Sequence, residues 1–484
     1  MMNNSISEAF PQEYESGLEI EKANDSALDD DGKPRRRGTM WTASAHIITT
    51  IIGSGVLSLA WVVAQLGWLG GIGCILAFAF ITFYTADLLA SCYRSPITGK
   101  RNYTYMEAVK NNLGEKMQKI CGLMQYTILS GATIGYTITA SQCMAAIQRS
   151  NCFHKKGSHN HADCSGSHNP FMLGLGVVEI FFSQIPNFHQ LSMLSTVAAI
   201  MSFLYSFIGF GLGLAKVVSG EMRKTSFTGK EVGPNFSASE KTWAMLTAIG
   251  NIAFSYSYSP VLLDIQDTLQ ASPPERTVMR KANFVALTSA TSFYIMCGCF
   301  GYAAFGDDAP GNLLTGFGFF DPFWLVDLAN IFIVIHLVGA YQVLAQPVFR
   351  ALEMWASSKW SKSDFVMREY PVTIGWMNIS LSINFLRLTW RTVFVVLATL
   401  LALMMPFFND ALAFVGALGY WPLAVYFPVE MFIVNRKITK WSSRWIGLEL
   451  LNAVCFFVSL AGVCGAIHGI AKGLREYELF HAQD

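Results

Sequence analysis

Long stretches of this chain contain no charged residue. Residues 38–86 hold no Asp, Glu, Lys or Arg, which is 49 consecutive positions in a chain of 484. A helix that crosses a bilayer needs about 20 consecutive apolar residues, so this stretch predicts two spans joined by a short hairpin. Only 14% of the residues are charged, against about 25% in soluble domains. The sequence therefore predicts an all-α integral membrane protein.

Further charge-free runs extend this pattern toward the C-terminus. The run 180–215 is interrupted by polar residues and a proline at 186–190, and the apolar segment 170–178 precedes it, which indicates two spans in this region. Together with residues 38–86 and the remaining runs, the sequence predicts about eleven transmembrane helices. The remaining runs are 120–148, 242–263, 282–306, 328–349, 392–409, 411–429 and 450–471.

Lys and Arg are distributed unevenly between the two sets of predicted loops. With the N-terminus in the cytoplasm, the cytoplasmic segments hold 24 of these residues and the opposite segments hold 9. The positive-inside rule favours this orientation, and an odd number of spans then places the C-terminus outside. We expect residues 1–38 to be a disordered cytoplasmic tail, residues 39–471 the transmembrane domain, and residues 472–484 an extracellular tail.

The predicted outside loop at 148–169 contains two cysteines and four histidines. Disulfides persist in oxidising compartments, so we expect Cys152 to pair with Cys164. Zinc binding by the histidines is the alternative, but their spacing matches no compact zinc motif, and no metal is expected. The sequon at Asn235, in another outside loop, predicts glycosylation. The four histidines are His154, His159, His161 and His168.

Two predicted spans contain residues that interrupt a helix near its middle. The first span carries Gly53-Ser54-Gly55, and glycine and serine are poorer helix formers than alanine. The sixth carries the run 255–260, which ends in Pro260 and so lacks one backbone donor. Backbone at membrane depth leaves the helix only where it lines protein or a polar cavity. The freed N–H groups at a half-helix N-terminus then attract a carboxylate.

These two spans come first in two successive sets of five, and an odd set inserts with inverted topology. Interrupted segments at corresponding positions are the best sequence indication of a transporter site. Close packing at the glycines and a simple kink at Pro260 are the alternatives for each break taken alone. The pair together favours a substrate site. Its predicted residues are Ile52, Gly53, Ser54, Gly55, Val56, Ser255, Tyr256, Ser257, Tyr258 and Ser259.

Several ionisable residues lie within or beside the predicted spans, where a charge is costly and often functional. His46 and His336 are candidates for proton coupling because histidine titrates near neutral pH. Asp264 and Asp267 follow the second break, and they either relay a proton or pair with the basic cytoplasmic loop. For three carboxylates near cytoplasmic span ends, snorkelling to water favours structural roles. These three are Asp87, Glu179 and Glu430.

At these residues the sequence resembles a known family. The runs GTMWTASAHIITTIIGSGVLSLAWVVAQLGW, LDIQDTLQASPPE and GYAAFGDDAPGNLLTGFGF are similar to plant amino acid permeases, within the amino acid/auxin permease family. The resemblance covers roughly residues 33–471. It implies a LeuT-like fold of five plus five inverted helices with one helix added. The implied segments are a first repeat at about 39–217, a second at about 243–434 and the extra helix at about 445–471.

The resemblance also implies a function, namely proton-coupled import of amino acids across the plasma membrane. The substrate carboxylate would meet the N–H groups at 53–55, the amino group would meet residues 255–259, and Tyr256 or Tyr258 would act as a gate. Pro260 departs from the family pattern, which bears on the width of the side-chain pocket.

Other functional classes find less support in the sequence. It contains no HExxH, Walker or nucleophile-elbow motif, so no enzyme activity is expected, and no repeated filter motif indicates a channel. A net charge of +1 gives no basis for nucleic-acid binding. A carrier of auxin-like carboxylates and a non-transporting amino acid sensor remain as alternatives. Apart from the proton as coupling ion, no cofactor is expected.

Overall fold

The computed structural model is a bundle of long helices with one small hairpin of strands. It describes residues 28–33, 35–95, 98–156, 164, 166–185, 191–220, 222–234, 236–315, 322–374, 379–404 and 407–476. Its main helices are α1 Met40–Ile51, α2 Gly55–Ser91, α3 Tyr105–Leu113, α4 Glu115–Lys156, α5 Asn169–Ser183, α6 Leu191–Val218, α7 Ala238–Ser255, α8 Ser259–Gln266, α9 Glu275–Phe305, α10 Phe323–Lys359, α11 Asp364–Met367, α12 Phe385–Met404, α13 Phe408–Gly419, α14 Phe427–Asn435 and α15 Ser443–Glu476. A short 3₁₀ turn, Gly306–Asp308, follows α9, and a π-helical segment, Tyr420–Tyr426, joins α13 to α14.

The N-terminal 49-residue charge-free stretch folds as the predicted pair of spans. Thr39 caps α1 by a reciprocal pair of hydrogen bonds with Thr42. Within α2, Gly67 has φ of +74° and divides the helix into two arms. A Cβ at Gly67 would lie 2.3 Å from backbone atoms of Phe227 and Gly229. Only glycine fits this close approach and this left-handed conformation, so the hairpin depends on it.

The described helices account for the predicted number of spans. Seven of them are long and apolar enough to cross a membrane: α2, most of α6, α9 with the turn after it, α10, α12, the continuous α13–α14 segment and α15. The rest of the predicted set comes from the broken pairs α1–α2 and α7–α8, from α4 and from the short apolar helix α5. The fold is thus an all-α membrane architecture with eleven spans in the described residues.

A two-stranded antiparallel sheet lies between α10 and α12, where the sequence analysis expected only loop. Strands β1 (Glu369–Ile374) and β2 (Ile379–Asn384) pair with Glu369 opposite Asn384. The Asn384 side chain donates a hydrogen bond of 2.9 Å to the Val366 carbonyl. The signal was present in the sequence as short alternating runs rich in β-branched residues, EYPVTI and ISLSIN.

The end of the N-terminal tail is ordered, which corrects the prediction of a disordered tail up to residue 38. Residues 28–33 and 35–38 lie against the loops that follow the second and sixth spans. The Gly38 N–H donates to the Thr268 carbonyl at 2.9 Å, and the Gln270 N–H donates to the Gly38 carbonyl at 3.1 Å. We call the face of the protein that carries these segments the tail-side face.

Ion pairs hold this segment in place. Arg36 pairs with Asp31 and Asp267, both at 2.9 Å. Arg101, whose side chain is 1% exposed, pairs with Asp31 at 3.0 Å and with Glu275 at 3.1 Å. The sequence did not predict this arrangement, because Arg101 lies about 70 residues from the acidic run that it contacts. The tail-side cluster consists of Asp29, Asp30, Asp31, Arg36, Arg94, Arg101, Asp267 and Glu275.

Asp31 of the cluster stays ionised at cellular pH. Hydrogen bonds from the Arg36 guanidinium hold the pKa of Asp31 well below its usual range, although burial opposes them. A carboxyl with a depressed pKa stabilises the fold above its ordinary pKa, and this contribution is lost only as the pH falls through the depressed value. The Asp31 contribution to the cluster is therefore constant across the physiological range.

Replacing Arg101 tests the cluster. Arg101→Ala removes the most buried cation of the cluster and leaves Asp31 with Arg36 and Glu275 with Arg94. Breaking a buried pair outright costs about 3–5 kcal/mol, which is the upper limit here. We expect a clearly lower melting temperature for the purified protein in detergent. Arg223→Ala is the matched control, because that side chain is 63% exposed and its pair with Asp308 spans 3.5 Å. Equal melting temperatures for the two variants would contradict this account of the cluster.

Candidate functional site

The two predicted helix breaks are present and lie side by side. The first separates α1 from α2 at residues 52–54, and the second separates α7 from α8 at residues 256–258. A Cβ at Gly55 would lie 2.5 Å from Ser255 Oγ. The breaks are therefore in direct contact, with the absent glycine side chain making their approach possible.

Two tyrosines satisfy the carbonyls that the breaks release. Tyr294 of α9 donates through its hydroxyl to the Ile51 carbonyl at 2.6 Å and to the Ser255 carbonyl at 2.7 Å. Tyr205 of α6 donates to the carbonyls of Ile52 at 3.0 Å and Gly53 at 3.1 Å. Both tyrosines are fully buried. Tyr294 thus bridges the two breaks, with its one hydroxyl hydrogen shared between the Ile51 and Ser255 carbonyls.

The N-terminal end of α2 keeps free hydrogen-bonding capacity. The first N–H groups of a helix have no preceding turn to bond to, and here they begin at Gly55 in the middle of the first span. The Ser54 hydroxyl, fully buried, has no hydrogen-bond partner among the described residues. These donors and the positive end of the helix dipole favour an anionic group at this point.

A cavity lies against both breaks. Gly53 and Gly55 line it from the first break, and Ser257 and Pro260 line it from the second. One face of α4 and Leu344 of α10 form the opposite wall. No charged side chain is among the described lining residues. The remaining residues that line the cavity are Thr50, Ile51, Ile128, Leu129, Ala132, Tyr136, Phe254 and Val261.

Several predicted binding side chains are directed away from the cavity, which corrects their expected roles. Tyr256 shares a hydrogen bond of 2.9 Å with the Thr291 hydroxyl, and Tyr258 donates to the Asn283 side chain at 3.1 Å. Both rings are buried and bonded to α9, and neither lines the cavity. The Ser255 hydroxyl donates back to the carbonyl of the preceding turn, as serine commonly does in helices.

Of the remaining predicted residues of the site, some line the cavity and others do not. The Ser257 hydroxyl donates to the Ala253 carbonyl at 2.8 Å although the residue lines the cavity. Ile52, Val56 and Ser259 are buried in the protein without lining it. The first break therefore contributes Gly53 and Gly55 to the cavity wall, and the second contributes Ser257 and Pro260. Ser54 is buried beside the first break without lining the cavity.

Sequence reasoning missed the wall formed by α4. Ile128, Ala132 and Tyr136 recur at intervals of four and lie on one helical face. In the sequence they read as an ordinary apolar face. The sequence also did not predict the roles of Tyr205 and Tyr294, because these side chains bond to carbonyls that are exposed only at the breaks.

The four proton-coupling candidates occupy different surroundings. His336 is fully buried, its Nδ1 lies 2.8 Å from the Ala198 carbonyl, and its Nε2 lies 3.6 Å from a Cβ placed at Gly53. His46 is half-buried in α1. Asp267 pairs with Arg36 and accepts from the Tyr93 hydroxyl at 2.6 Å, so it belongs to the tail-side cluster. Asp264 is half-buried in α8.

The predicted outside loop is described in part. Cys152 and Cys164 form a disulfide. The His154 ring stacks on Phe323 at 3.9 Å. Three other predicted residues lie outside the described part of the chain, namely His159, His161 and the sequon residue Asn235.

Known proteins of similar sequence and structure share this architecture. Amino acid permease 6 of Arabidopsis thaliana is 51% identical over 99% of this chain and 98% of the relative. Amino acid permease 3 of the same plant is 51% identical over 94% of this chain and 95% of the relative. The crystal structure of MhsT in complex with L-phenylalanine superposes with a TM-score of 0.55 at 12% identity, covering 90% of this chain and 100% of that one.

The superposition places the chain in the LeuT-like fold, as the twin breaks and the arrangement of helices predict. The model of the family described as transmembrane amino acid transporter protein matches residues 36–472, which is most of the chain. This protein belongs to the transmembrane amino acid transporter family.

Proposed function

We propose that this protein imports amino acids into the cell together with protons, by alternating access around the paired breaks. The observation that carries the proposal is the contact between the two breaks, bridged by the Tyr294 hydroxyl and bordered by an enclosed cavity. The permeases that share half of this sequence support an amino acid as the substrate. Transport, not catalysis, is the activity we assign, with no cofactor beyond the coupling proton.

The ends of the half-helices match the two charges of an amino acid. The α-carboxylate fits at the N-terminal end of α2, beside the free N–H groups and Ser54. The α-ammonium fits at the C-terminal ends of α1 and α7, where Ile51 and Phe254 line the cavity and the helix dipoles are negative. A zwitterion can be held here without any charged side chain.

The rest of the cavity favours an uncharged substrate side chain. Ile128, Leu129, Val261 and Leu344 give it apolar walls, and burying a charge there would be costly. We therefore expect neutral amino acids to be preferred over lysine or arginine. Indole carboxylates, the alternative substrates, lack the ammonium group that the C-terminal helix ends suit.

We further propose that the tail-side face is cytoplasmic and that the protein resides in the plasma membrane. The tail-side face carries the arginine-rich loops, as the positive-inside rule requires. The Cys152–Cys164 disulfide follows α4 at the opposite end, which suits an oxidising exterior. In this orientation the C-terminal end of α15 is extracellular.

Membrane current provides the direct test of proton-coupled import. In cells that express the chain, we expect neutral amino acids to evoke an inward current without sodium, larger at external pH 5.5 than at 7.5. The reason is that each zwitterion enters with one proton and so carries net positive charge. Amino acid binding without flux, in protein confirmed at the surface, would instead favour the sensor. Inhibition by indole acids but not by amino acids would favour the carboxylate carrier.

Valine substitutions test the site. In Gly55→Val, the added side chain must collide with Ser255, since even a Cβ would lie 2.5 Å from its hydroxyl. We expect uptake to fall to background, at least 50-fold, with surface expression retained. Gly211→Val is the matched control, because a Cβ there meets nothing within 4 Å. Normal uptake by Gly55→Val would place the site elsewhere.

A further inference from the structure

A carboxyl group lies buried within the membrane-spanning part, close to the proposed substrate cavity. Glu179 of α5 is 4% exposed, and its Oε2 accepts a hydrogen bond of 2.7 Å from the Gln342 side chain of α10. The sequence analysis expected Glu179 to reach water at a span end, and this expectation was wrong. The helix continues to Ser183, and the Arg391 side chain of α12 donates to the carbonyls of Ser183 and Ile185.

No cation compensates this carboxyl among the described residues. The facing groups that can ionise are Tyr136 from α4, Tyr341 from α10 and Arg391 from α12. Arg391 is engaged elsewhere, since it pairs with Glu353 at 2.7 Å and donates to the Ser183 carbonyl at 2.7 Å. A carboxylate buried without a cation is costly. The arrangement seen here therefore suits the protonated, neutral form of Glu179.

The surroundings of Glu179 connect it to the substrate site. A small cavity lies beside it, lined also by Tyr136, Thr137 and Tyr341. Tyr136 lines the substrate cavity as well, and its hydroxyl would lie 3.1 Å from a Cβ at Gly53. Tyr136 thus borders both the cavity beside Glu179 and the first helix break. At the C-terminal end of α5, Arg391 pairs with Glu353 and donates to the Ser183 carbonyl.

We propose that the Glu179 carboxyl carries the proton that is coupled to amino acid import. This assignment rests on the proposed function, proton-coupled transport. Open to the outside, the carboxylate takes a proton through the substrate cavity and forms an O–H bond. After the protein opens toward the cytoplasm, that bond breaks and the proton passes to water there. The Gln342 side-chain amide, which donates to Glu179 and also to the Ser183 hydroxyl, supplies a polar contact for the ionised form during the return.

Glu179→Gln tests the assignment, because the amide keeps the size and hydrogen bonding but cannot titrate. Purified protein in liposomes would be given radiolabelled L-alanine, L-phenylalanine and L-glutamine, with pH 7.5 inside and 5.5 outside. We expect accumulation driven by the pH gradient to fall at least ten-fold. Exchange of labelled for unlabelled amino acid at equal pH should persist, with its rate no longer dependent on pH.

Two further variants separate a proton carrier from a structural residue. Asp327→Asn is the matched control, since it makes the same carboxyl-to-amide change near the opposite face, where Asp327 bonds to Asn151 at 2.7 Å; it should accumulate amino acids normally. If Glu179→Gln also loses exchange, Glu179→Asp decides. Restored accumulation supports the assignment, and continued failure in folded protein overturns it.

The outcomes also distinguish this assignment from the proposed function. Unmodified protein that exchanges amino acids but shows no accumulation under a pH gradient would overturn proton coupling itself. Unmodified protein that accumulates them, together with a Glu179→Gln variant of the same accumulation and the same pH profile, would overturn only the role of Glu179.

Discussion

The membrane interior supplies no water to unpaired backbone groups, and the two helix breaks exist only because the protein supplies the partners. The Tyr294 and Tyr205 hydroxyls cover four carbonyls that leave the helical pattern at the breaks. Each such carbonyl would otherwise cost several kcal/mol in hydrocarbon. The same departure from the helix frees the N–H groups of α2. The site therefore follows from the hydrogen bonding at the breaks. Tyrosine hydroxyls bond to the released carbonyls, and the N–H groups of α2 remain available to a ligand.

Polar contacts connect the helices into two groups, and both groups contribute residues to the wall of the cavity. The tail-side cluster connects the ends of the first, second, sixth and seventh spans through Arg36, Arg101, Asp267 and Glu275. A separate set connects α5, α10 and α12 through Gln342–Glu179 and Arg391–Glu353. The broken helices belong to the first group, and Leu344 of the cavity wall belongs to the second. A relative movement of the groups would change access to substrate and to Glu179 together, which is what coupling requires.

The sequence revealed those features whose cause is local. The glycine and proline residues predicted both breaks, and the stretches without charged residues predicted the spans. The direction of a side chain depends on partners distant in sequence. Tyr256 and Tyr258 have partners on α9, which no spacing within the sixth span predicts. The prediction for Glu179 was wrong for the same reason. A residue near a span end reaches water only if no other helix packs over that end, and here Arg391 of α12 contacts the end of α5.

Separate positions for proton and substrate have an electrical consequence. A zwitterion held by helix ends adds no net charge to the cavity, and a protonated Glu179 adds none beside it. The loaded site is then neutral, whereas the empty carrier returns with a carboxylate. Moving one elementary charge across the membrane is worth about 2.3 kcal/mol per 100 mV. When the cell interior is negative, the membrane potential therefore favours the reorientation of the empty, negatively charged site toward the outside. This step favours net import.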